Sequence, residues 1–187
     1  MTNIDLLNQL RPSYLNSFGK MTIAPERQAE VIERCKTILE NFAQYEAVEK
    51  ATGVHWKFIA IVHSLECDSS FKLHLHNGDP LTARTVNVPS GRPLTGNPPF
   101  TWYESACDAL HQMNLSGAND WTLEGTLFHL ELFNGMGYHK EGINSPYLWA
   151  GSNQYTAGKF VEDHKFDPKA VSKQIGAALL LKTLMQP

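Results

Sequence analysis

The sequence has no large excess of charge of either sign. Its 187 residues include 16 Lys and Arg against 19 Asp and Glu, which gives a formal net charge of -3 at pH 7. This balance provides no bulk attraction to a phosphate backbone or to anionic lipid. We therefore expect no nucleic acid partner.

Long hydrophobic runs are also lacking. The longest apolar stretches, 58–62 and 177–181, are far shorter than the roughly 20 residues that span a bilayer. The first thirty residues lack the basic start, apolar middle and small-residue cleavage site of a secretory signal. These absences predict no membrane insertion and synthesis in the cytoplasm without a signal peptide.

Cysteine is scarce as well. The three cysteines, Cys35, Cys67 and Cys107, form an odd set without the spacing of a metal site. We expect them to be reduced and mostly buried, because free cysteine behaves as a small apolar residue. The length and the 42% hydrophobic content are typical of one globular domain that buries a core.

Apolar spacing predicts a mainly helical fold. A helix wrapped by the rest of the protein is expected over 54–67, where apolar residues cover most of its circumference. Thr101 and Glu104 have the spacing of a capping box, and Gly176 is expected to permit close packing. The other predicted helices span 25–50, 101–113 and 121–133, with a last one opened by Asp167 and Pro168.

Two segments are expected to lack helices. Residues 1–24 are predicted to form an irregular N-terminal extension. The Gly-, Pro- and Asn-rich segment 68–100 is predicted to be an irregular or β-hairpin lobe, with short strands over 82–88.

Glu66 is the most informative single residue, because it ends the strongly apolar segment 54–67. We expect burial there to disfavour the charged carboxylate and so to raise the pKa of Glu66. A carboxyl group that keeps its proton near neutral pH can donate it to a leaving oxygen. The competing interpretation is a surface glutamate in a last helical turn.

Two segments carry a resemblance to a known family. Residues 63–85 read HSLECDSSFKLHLHNGDPLTART, and residues 145–160 read SPYLWAGSNQYTAGKF, followed by KQIGAA at 173–178. The first is similar to the active-site lobe of the lysozyme-like superfamily, particularly bacterial and phage endolysin-type muramidases. The second resembles the closing segment of those proteins, so the resemblance covers about 54–184.

The resemblance implies a single lysozyme-like α+β catalytic domain that needs no cofactor. It implies cleavage of the β-1,4 glycosidic bond between N-acetylmuramic acid and N-acetylglucosamine in peptidoglycan, with Glu66 as general acid. Asp79 and Thr85 match an Asp and a Thr that position water or stabilise charge, and Thr82 is a substitute for Thr85. Asp68 competes with Asp79 for the role of second carboxylate.

Aromatic and amide side chains suit a sugar cleft, because a pyranose has apolar faces and a rim of hydroxyl groups. For each such residue the alternative is a role in packing or in a turn. Glu131 is a reserve candidate for the second carboxylate in the cleft. Glu104 is not a candidate, because its spacing from Thr101 is explained by helix capping. The expected substrate-binding residues are His76, Asn77, Thr82, Asn134, Tyr138, Trp149, Asn153 and Tyr155.

Three other functions stay open. A lytic transglycosylase would use Glu66 alone and give an anhydro product. A zinc-dependent hydrolase would gather His63, Glu66, His74 and His76 around one metal, although their spacing does not match a two-histidine helical motif. A non-catalytic glycan-binding domain is the third alternative.

The setting of the proposed reaction is also predicted. We expect a monomer that acts on the glycan strands of the cell wall after release or export. The lysines from Lys159 onward are interpreted as a solvated face rather than as a wall anchor.

Overall fold

A computed structural model describes residues 2–117, 120–162 and 164–186. The protein is mainly helical with one small antiparallel sheet, which confirms the predicted fold class. The α-helices are α1 (Asn3–Lys20), α2 (Gln28–Glu40), α3 (Phe42–Thr52), α4 (Trp56–Cys67), α5 (Trp102–Gln112), α6 (Leu123–Asn134), α7 (Pro146–Trp149) and α8 (Ala177–Leu184). Strands β1 (Lys159–Glu162) and β2 (Lys165–Asp167) form the sheet, and Pro25–Arg27 and Gly137–Glu141 form 3-10 helices.

The chain divides into two compact units. The first unit comprises Met1–Cys35 and Asp120–Pro187, and the second comprises Lys36–Asn119. The predicted single domain stays a prediction. Within the described ranges, no helix combines the length and the apolar character needed to cross a membrane.

In the first unit, α1 packs against α6, and α7 packs against both α6 and α8. The side chain of Thr2 caps α1 in a capping box with Asp5, and Tyr14 and Phe18 are buried. The prediction of an irregular segment over 1–24 is therefore wrong. The helical pattern of α1 is weak in the sequence, because Pro12 lies inside the helix.

The end of the first unit also differs from prediction. Asp167 ends β2 instead of opening a helix, and α8 begins only after Gly176. An added Cβ at Gly176 would lie 2.2 Å from the Leu148 carbonyl oxygen, so its predicted part in close packing is confirmed. The backbone N–H of Gly176 donates to the Ala150 carbonyl at 2.8 Å.

In the second unit, α3 packs against α4 and α5. The predicted helix over 54–67 is confirmed by α4, and the capping box of Thr101 and Glu104 opens α5 as expected. Cys67 is buried as predicted, whereas Cys107 is only half-buried.

The predicted helix over 25–50 is interrupted at Asn41. The side-chain amide of Asn41 donates to the Thr37 carbonyl at 2.9 Å, and the residue lies between α2 and α3. Such side-chain bonds to the backbone compete with helical continuation.

The lobe over 68–100 is irregular, as predicted. Its described residues contain a single isolated bridge between Leu73 and Pro80 and no named strand. The predicted strands at 82–88 are therefore wrong. The two strands that the structure describes lie at Lys159–Glu162 and Lys165–Asp167 instead.

Candidate functional site

Glu66 lies in the last turn of α4, at the edge of the core of the second unit. Every residue from Phe58 to Leu65 is buried and so is Cys67, whereas Glu66 is exposed. The expected burial of Glu66 is wrong, because its apolar neighbours occupy the core-facing positions. Glu66 is therefore accessible to solvent, whereas the helix that carries it is packed into the core.

The chain leaves α4 in an unusual conformation directly after this carboxyl group. Asp68 and Ser69 are both left-handed, with φ of 46° and 56°, which costs an L-residue roughly 1–2 kcal/mol. Both backbone N–H groups donate to the carbonyl of His63. Strained residues of this kind concentrate at functional sites, and Asp68, the alternative second carboxylate, forms part of this turn.

His63 lies one turn before Glu66 and is fully buried. Its Nε2 lies 3.1 Å from the Ser70 carbonyl, which only accepts, so Nε2 carries the proton and Nδ1 accepts from Tyr45 Oη at 3.1 Å. The rings of Phe71 and Trp102 flank the imidazole at 4.8 and 4.7 Å. Burial lowers the pKa of His63 to about 4.

This burial predicts acid sensitivity. The unfolded chain takes up a proton at His63 near pH 6.5 but the folded chain only near pH 4, so stability is lost as pH falls between these values. The full shift corresponds to about 3 kcal/mol. We expect urea titrations of His63→Gln to show a shallower loss of unfolding free energy over this range than the parent protein.

A ring titration checks the same prediction if His63→Gln does not fold. The NMR signal of the His63 imidazole in the parent protein should stay that of the neutral ring until the pH approaches about 4. Protonation of that ring near pH 6.5 in the folded protein would contradict it.

Asp79, the predicted second catalytic group, is buried and fully engaged in hydrogen bonds. Its carboxylate accepts from the backbone N–H groups of Val86 and Asn87 at 2.8 and 2.9 Å. The side-chain amides of Asn87 and Asn77 donate to it at 2.6 and 3.1 Å. The bond from the Asn87 backbone is the largest of the effects that lower the pKa of Asp79, so this group stays ionised and holds the segment 77–87.

Thr85 is also committed to its own loop. Its hydroxyl donates to the Pro89 carbonyl at 2.5 Å and accepts from the Arg92 N–H at 2.9 Å. Because the side chain is buried, the expectation that Thr85 positions a catalytic water is corrected to a role in loop structure. Asn77 similarly bonds to the Asn87 carbonyl at 2.9 Å, whereas Thr82 is exposed.

His74 and His76 belong to a buried hydrogen-bond chain. His74 Nε2 donates to the Ala83 carbonyl at 2.8 Å, and its Nδ1 lies 2.8 Å from Ser105 Oγ. His76 Nε2 lies 2.8 Å from Asp108 Oδ2, and the His76 side chain has no exposed surface. The expected contact between His76 and a substrate is therefore corrected, because no sugar reaches this ring.

The same hydrogen-bond chain contains the residue types of a serine hydrolase triad and two of the histidines of the proposed zinc site. Asp108, His76 and Ser105 follow the order of a hydrolase triad, but Ser105 is fully buried inside α5 and cannot attack a substrate. Among the residues that the structure describes, no group of three or more His, Cys, Asp and Glu is placed to hold a metal. The proposed zinc set of His63, Glu66 and the two lobe histidines therefore has no geometric support.

The remaining predicted residues lie in the first unit, where three of them have structural roles. Trp149 is 2% exposed and belongs to the core. The amide of Asn153 accepts from the Thr22 N–H at 2.9 Å and donates to the Lys20 carbonyl at 3.1 Å, which fixes the chain after α1. Tyr155 Oη donates to the Gly158 carbonyl at 3.1 Å.

Asn134 and Tyr138 line a common cavity of about 280 Å³, which we call the lysine cavity. Its wall is formed by the end of α6, the 3-10 helix after it, α7, the start of β1 and residues 171–174. Besides these two residues, Tyr147, Lys159, Ser172 and Lys173 line it. The two lysines were not among the predicted site residues, and the signal that could have found them is their position on either side of a hairpin in an aromatic-rich segment.

Glu131, the reserve carboxylate, is 2% exposed. Tyr14 Oη donates to it at 2.6 Å, and His139 Nε2 lies 3.2 Å from its other oxygen. The hydrogen bond to Glu131 raises the pKa of His139. Glu131 therefore links α1, α6 and the 3-10 helix at 137–141 and is not a cleft carboxylate.

A larger cavity of about 380 Å³ also lies in the first unit and is lined in part by Val31, Ile32 and Lys182. Lys182 Nζ donates to the carbonyls of Phe18 and Met21 at 3.2 and 2.7 Å. Its ammonium group therefore satisfies the C-terminal end of α1.

Comparison with known proteins found no match to this chain among protein-family models, curated proteins or solved structures.

Proposed function

We propose that this protein is a glycoside hydrolase that cleaves the β-1,4 bond between N-acetylmuramic acid and N-acetylglucosamine in peptidoglycan. The observation that carries the proposal is the exposed residue Glu66 at the end of a helix whose residues 58–65 are all buried, followed directly by two left-handed residues. Cleavage of a glycosidic bond requires a proton donor held at the leaving oxygen. Glu66 is proposed as that donor.

Binding of the substrate would shield Glu66 from water, which the free protein does not do. A sugar that covers Glu66 excludes water from the carboxyl group and favours its protonated form. The alkaline limb of kcat should then lie at higher pH than the alkaline limb of kcat/KM, because kcat reports the substrate complex.

Asp79 has a supporting role in this proposal. The transition state is oxocarbenium-like and gains from a fixed negative charge near the sugar ring. Asp79 is ionised and held by Val86, Asn87 and Asn77, so we assign it electrostatic stabilisation and the fixing of its lobe. Thr85 supports the same lobe.

A lytic transglycosylase is the second candidate, and the commitment of Asp79 and Thr85 to their loops favours it. In that reaction Glu66 donates the proton, and a hydroxyl group of the sugar itself attacks the anomeric carbon. The product carries an anhydro ring instead of a new reducing end. Both candidates place the protein at the cell wall after release or export from the cytoplasm.

The proposal is tested with purified cell-wall sacculi. We expect the protein to release soluble fragments, and we expect EDTA to leave the rate unchanged. A rate that EDTA abolishes and zinc restores would favour a metal hydrolase. Binding to sacculi without release of fragments would favour a glycan-binding domain.

A further inference from the structure

The lysine cavity is lined by two lysines together with neutral polar and aromatic residues. Lys159 and Lys173 line it together with Asn134, Tyr138, Tyr147 and Ser172, and none of its described lining residues is acidic. Neither lysine forms an ion pair with a residue that the structure describes. The acidic residue described nearest in the sheet is Asp167, the cross-strand partner of Lys159, and its carboxylate accepts from the backbone N–H groups of Lys169 and Ala170.

The backbone that carries each lysine is fixed by specific contacts. Gly158, which precedes Lys159, has a φ of 102°, and an added Cβ would lie 2.6 Å from Ile143 Cδ1. Its N–H donates to the Ala170 carbonyl at 2.9 Å. The position of Lys159 at the start of β1 thus depends on a glycine.

The opposite wall is held in a comparable way. Tyr155 Oη accepts from the Ser172 N–H at 3.2 Å, and the guanidinium of Arg27 donates to the Lys173 carbonyl at 2.8 Å. Tyr155, predicted to bind sugar, is therefore a positioning residue for the wall that carries Lys173. A fixed backbone beneath each lysine lowers the ordering cost of binding an anion.

The size of the cavity limits what it can hold. Pockets for drug-sized ligands measure about 300–1,000 Å³, and this one measures about 280 Å³. It suits one or two short acidic residues better than a run of sugars. Lysine pairs bind carboxylates through charge-assisted hydrogen bonds, and the amide of Asn134 and the hydroxyl of Ser172 supply neutral donors beside them.

We propose that the lysine cavity binds the carboxylate groups of an acidic peptide, namely the glutamate-containing peptide that is attached to N-acetylmuramic acid in the cell wall. The choice of a wall peptide rests on the proposed function, whereas the preference for a carboxylate rests on the cavity itself. The site recognises the peptide branch of the substrate and has no part in proton transfer at Glu66.

Binding of a small soluble probe tests this proposal. The probe is N-acetylmuramoyl-L-alanyl-D-glutamic acid, and its matched control is the same molecule with both carboxyl groups amidated. Affinity is measured by titration with NMR detection of the backbone amides at 134–138 and 171–174. We expect the acid to bind at least about tenfold more tightly than the diamide, and its affinity to fall with added salt.

Three lysine variants locate the binding. Lys173→Gln and Lys159→Gln should each weaken binding of the acid about three- to tenfold and should leave binding of the diamide unchanged. Lys169→Gln is the matched control, because Lys169 is an exposed lysine of the same unit that does not line the cavity. It should bind the acid like the parent protein.

The outcomes separate this proposal from the proposed function. Equal binding of acid and diamide, or an equal loss in Lys169→Gln and Lys173→Gln, would overturn the carboxylate site even if sacculi are cleaved. Specific binding of the acid by a protein that does not cleave sacculi would support the site and contradict the hydrolase. Glu66→Gln should bind the acid like the parent protein, since proton donation is not needed for binding.

Discussion

Glu66→Gln should lower the rate of sacculus cleavage by about 10²–10⁴-fold, the usual contribution of a positioned acid. Glutamine has nearly the same shape, but its amide has no acidic proton to transfer to a leaving oxygen. Because Glu66 is exposed, the substitution should change stability by less than about 0.5 kcal/mol. Loss of activity without loss of fold is therefore the expected combination.

Glu40→Gln is the matched control for this experiment. Glu40 is an exposed glutamate at the last position of α2 and belongs to the same unit as Glu66. We expect it to retain the parent rate of fragment release and the parent thermal midpoint. Equal activity of Glu66→Gln and Glu40→Gln would remove Glu66 from the chemistry.

Gly176→Ala should destabilise the first unit by about 3 kcal/mol, the upper part of the range for overpacked sites. The added Cβ would lie 2.2 Å from the Leu148 carbonyl oxygen and 2.7 Å from the Trp149 nitrogen. Both are backbone atoms, so no side-chain rotation relieves the clash, and α8 must move away from α7. For a chain of this length the thermal midpoint should fall by about 6–12 °C.

Gly19→Ala is the matched control and should have the opposite sign. Gly19 lies in α1 in the same unit, and an added Cβ there meets nothing within 4 Å. Alanine is preferred over glycine in a helix by roughly 0.5–1 kcal/mol, so the thermal midpoint should rise slightly. A loss of stability in Gly19→Ala as large as in Gly176→Ala would contradict the role assigned to close packing.

The helices with strong local signals were predictable from the sequence. Apolar residues around most of the circumference of 54–67 indicate a buried helix, and residues 58–65 of α4 are all buried. Thr101 and Glu104 form hydrogen bonds with backbone N–H groups at the start of α5, and their three-residue spacing is visible in the sequence. Such features depend on neighbours within one or two helical turns.

Features that depend on distant partners were not predictable. α1 is stabilised by contacts with α6, more than a hundred residues away in the chain, and its own pattern is weak. The hairpin at 159–167 has one pair of facing aromatic residues, Phe160 and Phe166, whose ring centroids are 5.4 Å apart. Its two short strands are too brief for an alternating pattern to be visible.

The candidate site shows the same division. The sequence indicates a carboxyl group at the end of a buried helix, but its exposure depends on which face of the last turn meets the core. Asp79 and Thr85 share residue types with catalytic groups, and only the structure shows that loop hydrogen bonds occupy them. In the sequence Lys159 and Lys173 resemble ordinary surface lysines. Only the structure shows that both line the same cavity.

The most direct test of the central claim is mass analysis of the fragments that the protein releases from purified peptidoglycan. Hydrolysis assisted by Glu66 predicts fragments with intact peptides and new reducing ends at N-acetylmuramic acid. Anhydro ends in their place would select the lytic transglycosylase. Fragments cut within the peptide, with uncut glycan strands, would contradict the assignment of this protein as an enzyme of the glycosidic bond.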